Sequence, residues 1–218
     1  MDIDYIVAHI PTFGKAASLT ISLALAGILL SLLIGLVCAL VRYFHVPVLH
    51  RIISGYIELS RNTPLMIQLF FLYYGLTRVG IMLEGVTCAI VGLAFLGGGY
   101  MAEAIRSGLE AVGRAQIESG LSIGLSRPQL IRYVVLPQAM AVAVPAIAAN
   151  TIFLIKETSV FSIIALPDLM YVAKDLMKEG HSNESNLMLV VSYLILILPV
   201  SLFFTVLERR MRRAGLGN

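Results

Sequence analysis

Arg61, Asn150, Lys156, Glu157, Thr158 and Ser159 are the polar side chains that stand nearest membrane depth in an otherwise apolar chain. Ionisable groups in such surroundings are costly, so they usually face a cavity or a protein partner. They line a polar pathway, or they fix a bundle interface as ion pairs. Both readings stay open on spacing alone. Glu58 lies three residues before Arg61 and can pair with it on one helix face. Lys156, at a helix end, can snorkel with Glu157 as its partner. Covalent chemistry has no constellation to carry it: there is no Ser/His arrangement, no paired aspartates and no His-Glu-x-x-His, so no catalytic residue is expected. His181 and the other histidines lack ligand spacing, and no metal or cofactor site is expected on this chain. Cys38 and Cys88 read as small buried hydrophobes.

A second set of residues reads mechanically. Residues 116–137 are the longest stretch between membrane spans with helical chemistry of their own. Gly124 suits a helix C-cap, because glycine accepts the left-handed conformation. Ser126 then starts a new helix, with Gln129 at the capping-box spacing and Pro128 tolerated in the first turn. Short helix, glycine turn, short helix, then Pro137 opening an apolar span: this is a compact knob presented to a partner outside the bilayer. An ordinary amphipathic connector is the plainer alternative.

These groups must be positioned by membrane helices. Of 218 residues, 58% are hydrophobic and 13% charged, against about 25% charged in a soluble domain; the mean hydropathy is +0.88. The expected fold is all-α, a single polytopic domain over residues 1–218 with five spans at about 16–41, 52–76, 86–104, 137–155 and 187–207. Residues 1–15 read as an interfacial segment, with no cleavable signal peptide evident, and 106–136 as an extramembrane loop. The second span is interrupted by Glu58, Ser60, Arg61, Asn62, Thr63, Pro64 and Gln68. Gly92 and Gly97-Gly98-Gly99 predict close helix approach in the third, and Pro145 a kink in the fourth.

Arginines set the orientation. Arg42, Arg51, Arg106, Arg114, Arg127, Arg132, Arg209, Arg210, Arg212 and Arg213 collect on one side. The other side mixes Lys15, Arg78, Lys156, Lys174 and Lys178 with acidic residues. The positive-inside rule puts the knob and the C-terminus in the cytoplasm and the N-terminus outside. The net charge of +3 follows this topology, and no basic groove for nucleic acid is visible. No Walker A pattern is present, so nucleotide would have to act through another chain.

Glu118-Ser119-Gly120, Gly124 and Val134-x-Leu136-Pro137 stand at the spacing of the EAA loop of ABC-importer permeases, which this segment resembles. Ser119 and Gly120 replace two alanines of that motif and Val134 an isoleucine. Ile57-Glu58-Leu59-Ser60-Arg61-Asn62-Thr63-Pro64-Leu65 with Gln68 and Tyr100-Met101-Ala102-Glu103 with Arg106 and Gly108 resemble the permeases of polar amino acid uptake. Leu154-Ile155-Lys156-Glu157-Thr158-Ser159 followed by Leu166-Pro167-Asp168-Leu169 continues the likeness in family order.

The resemblance implies a five-helix permease of the type I importer kind in a prokaryotic cytoplasmic (inner) membrane. It would pair with an identical or sister permease chain, two cytoplasmic ATPase subunits that bind the ATP, and an extracytoplasmic amino-acid-binding protein. The ATPase contact would fall on Ile117, Glu118, Ser119, Gly120, Leu121, Gly124, Leu136 and Pro137. Ile117 and Leu121 would be its apolar anchor and Glu118 its charge. A zwitterionic substrate needs partners for a carboxylate and an ammonium; Arg61, Asn150, Lys156, Glu157, Thr158 and Ser159 are the candidates. The rival class is a stand-alone secondary transporter or channel.

Overall fold

The structure is a computed structural model. It describes residues 2–216, with side chains as far as Met211; the side chains of Arg212 and Arg213 lie outside the described residues. The described chain is all helical, and four helices are long and apolar enough to cross a membrane. They are Ile3–Tyr43, Gly85–Glu110, Arg127–Ile164 and Ser182–Met211, with a shorter apolar helix at Leu65–Val79.

Helix α1 (Ile3–Tyr43) corrects the first expectation. Residues 3–15 do not lie apart as an interfacial segment but continue the first span without a break, with Pro11 inside the helix. At about 1.5 Å per residue its 41 residues reach roughly 60 Å. The reason for the extension is apolar cover: Phe13 and Ala16 pack with Leu169, Ala173, Leu176 and Met188. Asp2 caps the start, its carboxylate accepting from the Tyr5 N–H at 3.1 Å.

Helix α2 (Leu49–Asn62) ends at Thr63, and α3 (Leu65–Phe70) begins after Pro64. The expected second span is therefore broken in the middle. Proline drives the residue before it out of the helical region, and Thr63 is extended at φ −111°, ψ 129°. A break inside a bundle exposes carbonyls that must find donors. Gln68 supplies them. Its Nε2 lies 3.2 Å from the Ser60 carbonyl, 3.1 Å from the Thr63 carbonyl and 2.9 Å from Thr63 Oγ1. A π turn (Phe71–Gly75) and a 3₁₀ turn (Leu76–Val79) carry the chain onward.

Helix α4 (Gly85–Glu110) is the hub. Small residues on α1, Gly27, Ser31 and Gly35, recur every four positions and face Leu93, Gly97 and Met101 of α4. That spacing keeps one face, so the two backbones approach along several turns. Each of the three successive glycines is covered by a different side chain: Gly97 by Ser31, Gly98 by Tyr56 and Gly99 by Ser60. A methyl group at any of the three would collide with that cover.

After α4 come α5 (Arg114–Ser122) and α6 (Arg127–Leu130). A π turn (Ile131–Val135) joins α6 to α7 (Leu136–Glu157). Pro137 thus does not open the fourth span; the helix runs through it from Arg127. Proline has no N–H for the carbonyl one turn back, and the wide turn directly before it absorbs that mismatch. Pro145 sits inside α7. A 3₁₀ stretch (Thr158–Ile164), α8 (Leu169–Met177) and α9 (Ser182–Leu216) complete the fold. Cys38 and Cys88 are buried and free, as expected.

Candidate functional site

The knob at 113–135 has the local chemistry its sequence prescribes. Gly124 is left-handed at φ +84°. The Leu125 N–H reaches the Gly120 carbonyl at 3.1 Å and the Gly124 N–H that of Leu121 at 3.0 Å, the paired bonds of a Schellman C-cap. Gln129 Oε1 accepts from the Ser126 N–H at 2.9 Å and from the Ser126 hydroxyl at 2.8 Å, which fixes the start of α6.

The residues expected at a partner contact fall into two groups. Glu118, Ser119 and Leu121 are exposed on α5, and Ile117 is half-buried. Leu136, at the head of α7, is half exposed. Gly120 is buried under Leu130, Leu125 and Val134, where a Cβ would strike Leu130; Pro137 is half-buried in α7. Gly120, Gly124 and Pro137 therefore shape the elbow, while the others present its surface. Sequence reading missed Ile123, which is 78% exposed at the tip. An apolar residue immediately before a capping glycine is the signal that could have found it.

A second locus forms where the α2–α3 break meets α4 and α7. Arg61, Asn62, Thr63, Tyr100, Phe153 and Glu157 line a cavity of about 310 Å³ there, at the small end of the roughly 300–1,000 Å³ typical of ligand pockets. Arg61 and Glu157, 96 residues apart by number, thus share one cavity. The expected Glu58–Arg61 pair does not form. The Glu58 carboxylate accepts instead from Asn62 Nδ2 at 3.0 Å, and the Arg61 guanidinium lies 5.2 Å from the centre of the Tyr100 ring, within cation–π range. Nor does Lys156, which is exposed, pair with Glu157. Among the described residues neither Arg61 nor Glu157 has an ion-pair partner.

The other pathway candidates turn away from this cavity. Asn150 Nδ2 donates to the Tyr100 carbonyl at 3.1 Å, which holds the ring's backbone. Thr158 is fully buried, its hydroxyl donating to the Ile155 carbonyl at 2.7 Å. Ser159 is half-buried, its carbonyl accepting from the Ser162 hydroxyl at 3.3 Å. Tyr100 and Phe153 are pocket residues that sequence reading left unassigned. A roomier cavity of about 470 Å³ lies between α1 and α9, walled by apolar groups such as Ile6, Phe13 and Ile195. It carries no charge that could orient a polar solute.

Two further polar features lie outside that cavity. Glu103 on α4 pairs with Arg42 in the last turn of α1 and with Arg106, the latter at 2.6 Å, and Arg106 also pairs with Glu110. On the other side of the bundle Asp168 is fully buried, capping α8 by accepting from the Tyr171 N–H at 2.8 Å. Burial pushes its carboxyl up to about 6 against the helix-cap bonds and Lys174, which pull it down.

Comparison with known proteins closes the question of family. Residues 11–213 match the family described as "Binding-protein-dependent transport system inner membrane component". The chain is 37% identical over 170 residues to the probable glutamine ABC transporter permease protein GlnP of Bacillus subtilis, covering 78% of each chain. It is 31% identical over 206 residues to the glutamine transport system permease protein GlnP of Escherichia coli K12, covering 93% of this chain and 94% of that one. A solved structure described as an amino acid ABC transporter with histidines superposes with a TM-score of 0.87 at 30% identity, over 96% of this chain and 99% of the other. The inward-facing MetNI methionine ABC transporter shares the fold, with a TM-score of 0.77 at 20% identity over 97% and 99% of the two chains. With its long apolar helices, its elbow between α4 and α7 and a match over nearly its whole length, the chain belongs to the family of binding-protein-dependent transport system inner membrane components, multi-pass permease subunits of ABC importers.

Proposed function

We propose that this permease moves polar amino acids across the inner membrane, driven by ATP bound and hydrolysed on separate subunits. Its own role is then non-catalytic, with no cofactor of its own. The observation that carries the reading is the cavity at the α2–α3 break, where, among the described residues, Arg61 and Glu157 stand without ion-pair partners. An unpaired charge is stabilised when its counter-ion arrives with a ligand. Arg61 takes the substrate carboxylate and Glu157 its ammonium. Asn150, Thr158 and Ser159 hold the backbone around the cavity, and Lys156 lies exposed off it.

The coupling surface is α5 with the tip beyond it and the head of α7: Ile117, Glu118, Ser119, Leu121 and Leu136, with Ile123 added, on an elbow shaped by Gly120, Gly124 and Pro137. A cleft on an ATPase subunit receives it in the cytoplasm. In this topology 106–136 is the cytoplasmic loop, the N-terminus lies outside and the C-terminus inside. The fifth crossing is made by α2 and α3 in tandem around Thr63–Pro64. Two permease chains, identical or sister, enclose the path; two ATPases sit below, and an extracytoplasmic binding protein delivers substrate. ATP and substrate each favour one of two arrangements, which is what coupling requires.

The test is reconstitution in proteoliposomes with a cognate ATPase and a cognate amino-acid-binding protein. Uptake of glutamine that needs ATP and all three components supports the reading. Accumulation against a gradient by the permease alone would overturn it in favour of a secondary transporter.

A further inference from the structure

We propose that Tyr100 is a positioning residue for transport: its ring holds the Arg61 guanidinium in place and leaves the guanidinium N–H groups open to an incoming carboxylate. The proposal rests on the reading above, that Arg61 meets the carboxylate of the substrate. Arg61 Cζ lies over the Tyr100 ring, 5.2 Å from its centre. Among the described residues no carboxylate is paired with Arg61. A carboxylate partner would occupy the guanidinium donors, and every substrate would have to displace it. An aromatic face attracts the same charge and accepts none of its in-plane hydrogen bonds. The acids that could compete for Arg61 are engaged elsewhere or stand apart. Glu103, one turn from Tyr100 on α4, is held by Arg42 and Arg106, and the Glu58 carboxylate accepts from Asn62 at 3.0 Å. Glu157 lines the same cavity without pairing with Arg61.

The ring is itself fixed from α7. Asn150, Phe153 and Glu157 stand at i, i+3 and i+7 on that helix, so they share one face. Asn150 Nδ2 donates to the Tyr100 carbonyl at 3.1 Å, and the Phe153 ring lies 5.2 Å from the Tyr100 ring, tilted by 57°. The same face brings Glu157 to the cavity. Tyr100 therefore ties the cation of α2 to the helix that carries the anion, and so sets the separation that the carboxylate and ammonium of one molecule must span. The hydroxyl adds only a long contact of 3.5 Å to the Arg61 carbonyl, so the role falls to the ring.

The test is ATP-dependent uptake of labelled L-glutamine by the permease with a cognate ATPase and a cognate binding protein in proteoliposomes, at matched permease content. Tyr100→Phe keeps the ring and should retain most of the uptake, while Tyr100→Leu should lose roughly three- to tenfold. Phenylalanine carrying one, two or three ring fluorines at position 100 keeps the shape and drains the negative face of the ring. The logarithm of the uptake rate should fall steadily along that series. With Arg61→Ala in the same chain the ring has no cation to hold, and the residual uptake should not respond to fluorination. A flat series in the chain that retains Arg61, or the same slope with and without Arg61, overturns the role, because a ring that merely packs is indifferent to its charge distribution; either result leaves the importer reading standing. A wild-type complex that takes up no glutamine with ATP removes both.

Discussion

Arg42 in the last turn of α1 is ion-paired with Glu103 on α4, and Arg106 takes the second oxygen of the same carboxylate. All three side chains are less than a quarter exposed, and Arg42 Nε is buried without a partner. A Glu103→Gln substitution therefore replaces one of the two shared oxygens by an amide donor and removes the charge between the two guanidinium groups in a half-dry setting, while Arg106 keeps Glu110. We expect it to lower stability by about 1–2 kcal/mol, read as an earlier thermal unfolding transition of the detergent-solubilised protein. The charge-swapped pair Arg42→Glu with Glu103→Arg should recover part of that loss. A Glu103→Gln protein as stable as the wild type would show that the clasp contributes nothing.

Gly124 holds a left-handed backbone at φ +84° with open space around it, so strain and not collision decides what a side chain does there. Gly124→Ala should cost about 1 kcal/mol locally, and Gly124→Pro should abolish the turn altogether, because proline cannot adopt a positive φ. Both proteins should still insert, since the membrane helices are untouched. The proline variant should lose substrate-stimulated ATPase activity, measured in the reconstituted complex. Normal stimulation would remove the elbow from the coupling route.

Arg61→Ala and Glu157→Ala should each reduce ATP-dependent uptake by at least about tenfold at unchanged membrane expression, since each removes one charge-assisted contact of roughly 1.5–3 kcal/mol. Lys156→Ala, at an exposed position off the cavity, should leave uptake close to the wild-type rate. Uptake rates measured side by side decide between a ligand role and a structural one.

Gln68 bridges the break at Thr63–Pro64 through a single amide nitrogen. A Gln68→Leu protein keeps the bulk but strands the Ser60 and Thr63 carbonyls. The expected loss is about 1–3 kcal/mol, with faster hydrogen exchange at residues 60–68 in particular. Exchange that spreads evenly over the bundle, or does not change, would contradict that assignment.

Asp168 gives a pH dependence whose sign follows from its burial. Its carboxyl is raised to about 6, above the ordinary aspartate value of 3.8 that it takes when unfolded. The folded state therefore binds the proton more tightly, so its stabilising contribution is full below pH 4 and disappears as pH rises through about 6. Thermal stability should increase as pH is lowered through that window, and Asp168→Asn should flatten this part of the profile. An unchanged slope in the variant would assign the dependence to another group.

Much of this molecule is legible in its residue order because local chemistry and fold agree. The turn at Gly124, the start at Ser126–Gln129 and the close approach at Gly97–Gly99 each need only a few neighbouring residues, and all are found. Composition alone set the all-helical membrane class. Boundaries fared less well. Residues 3–15 are polar enough to read as a surface piece, and only their packing on α8 and α9 makes them part of α1. Pro64 and Pro137 look alike in sequence, yet one ends a helix and the other is absorbed by a π turn.

The pocket was half legible. Arg61 and Glu157 stood out because charge is scarce in this chain, but nothing in their spacing put them in one cavity. Tyr100 and Phe153 were hidden because aromatic residues on apolar helices give no signal until their neighbours are known. The clasp between Arg42 and Glu103 spans 61 positions and needed the tertiary fold to be seen. The Glu58–Arg61 pair failed for a local reason: Asn62 reached Glu58 first.

The three glycines at 97–99, each capped by a different side chain, leave no slack where α1, α2 and α4 cross. Parts so tightly meshed cannot shear past one another by small amounts without collision. A pull arriving from the far end of α4 must swing these helices as one leaf, with the bending left to the seams at Thr63–Pro64 and 131–135.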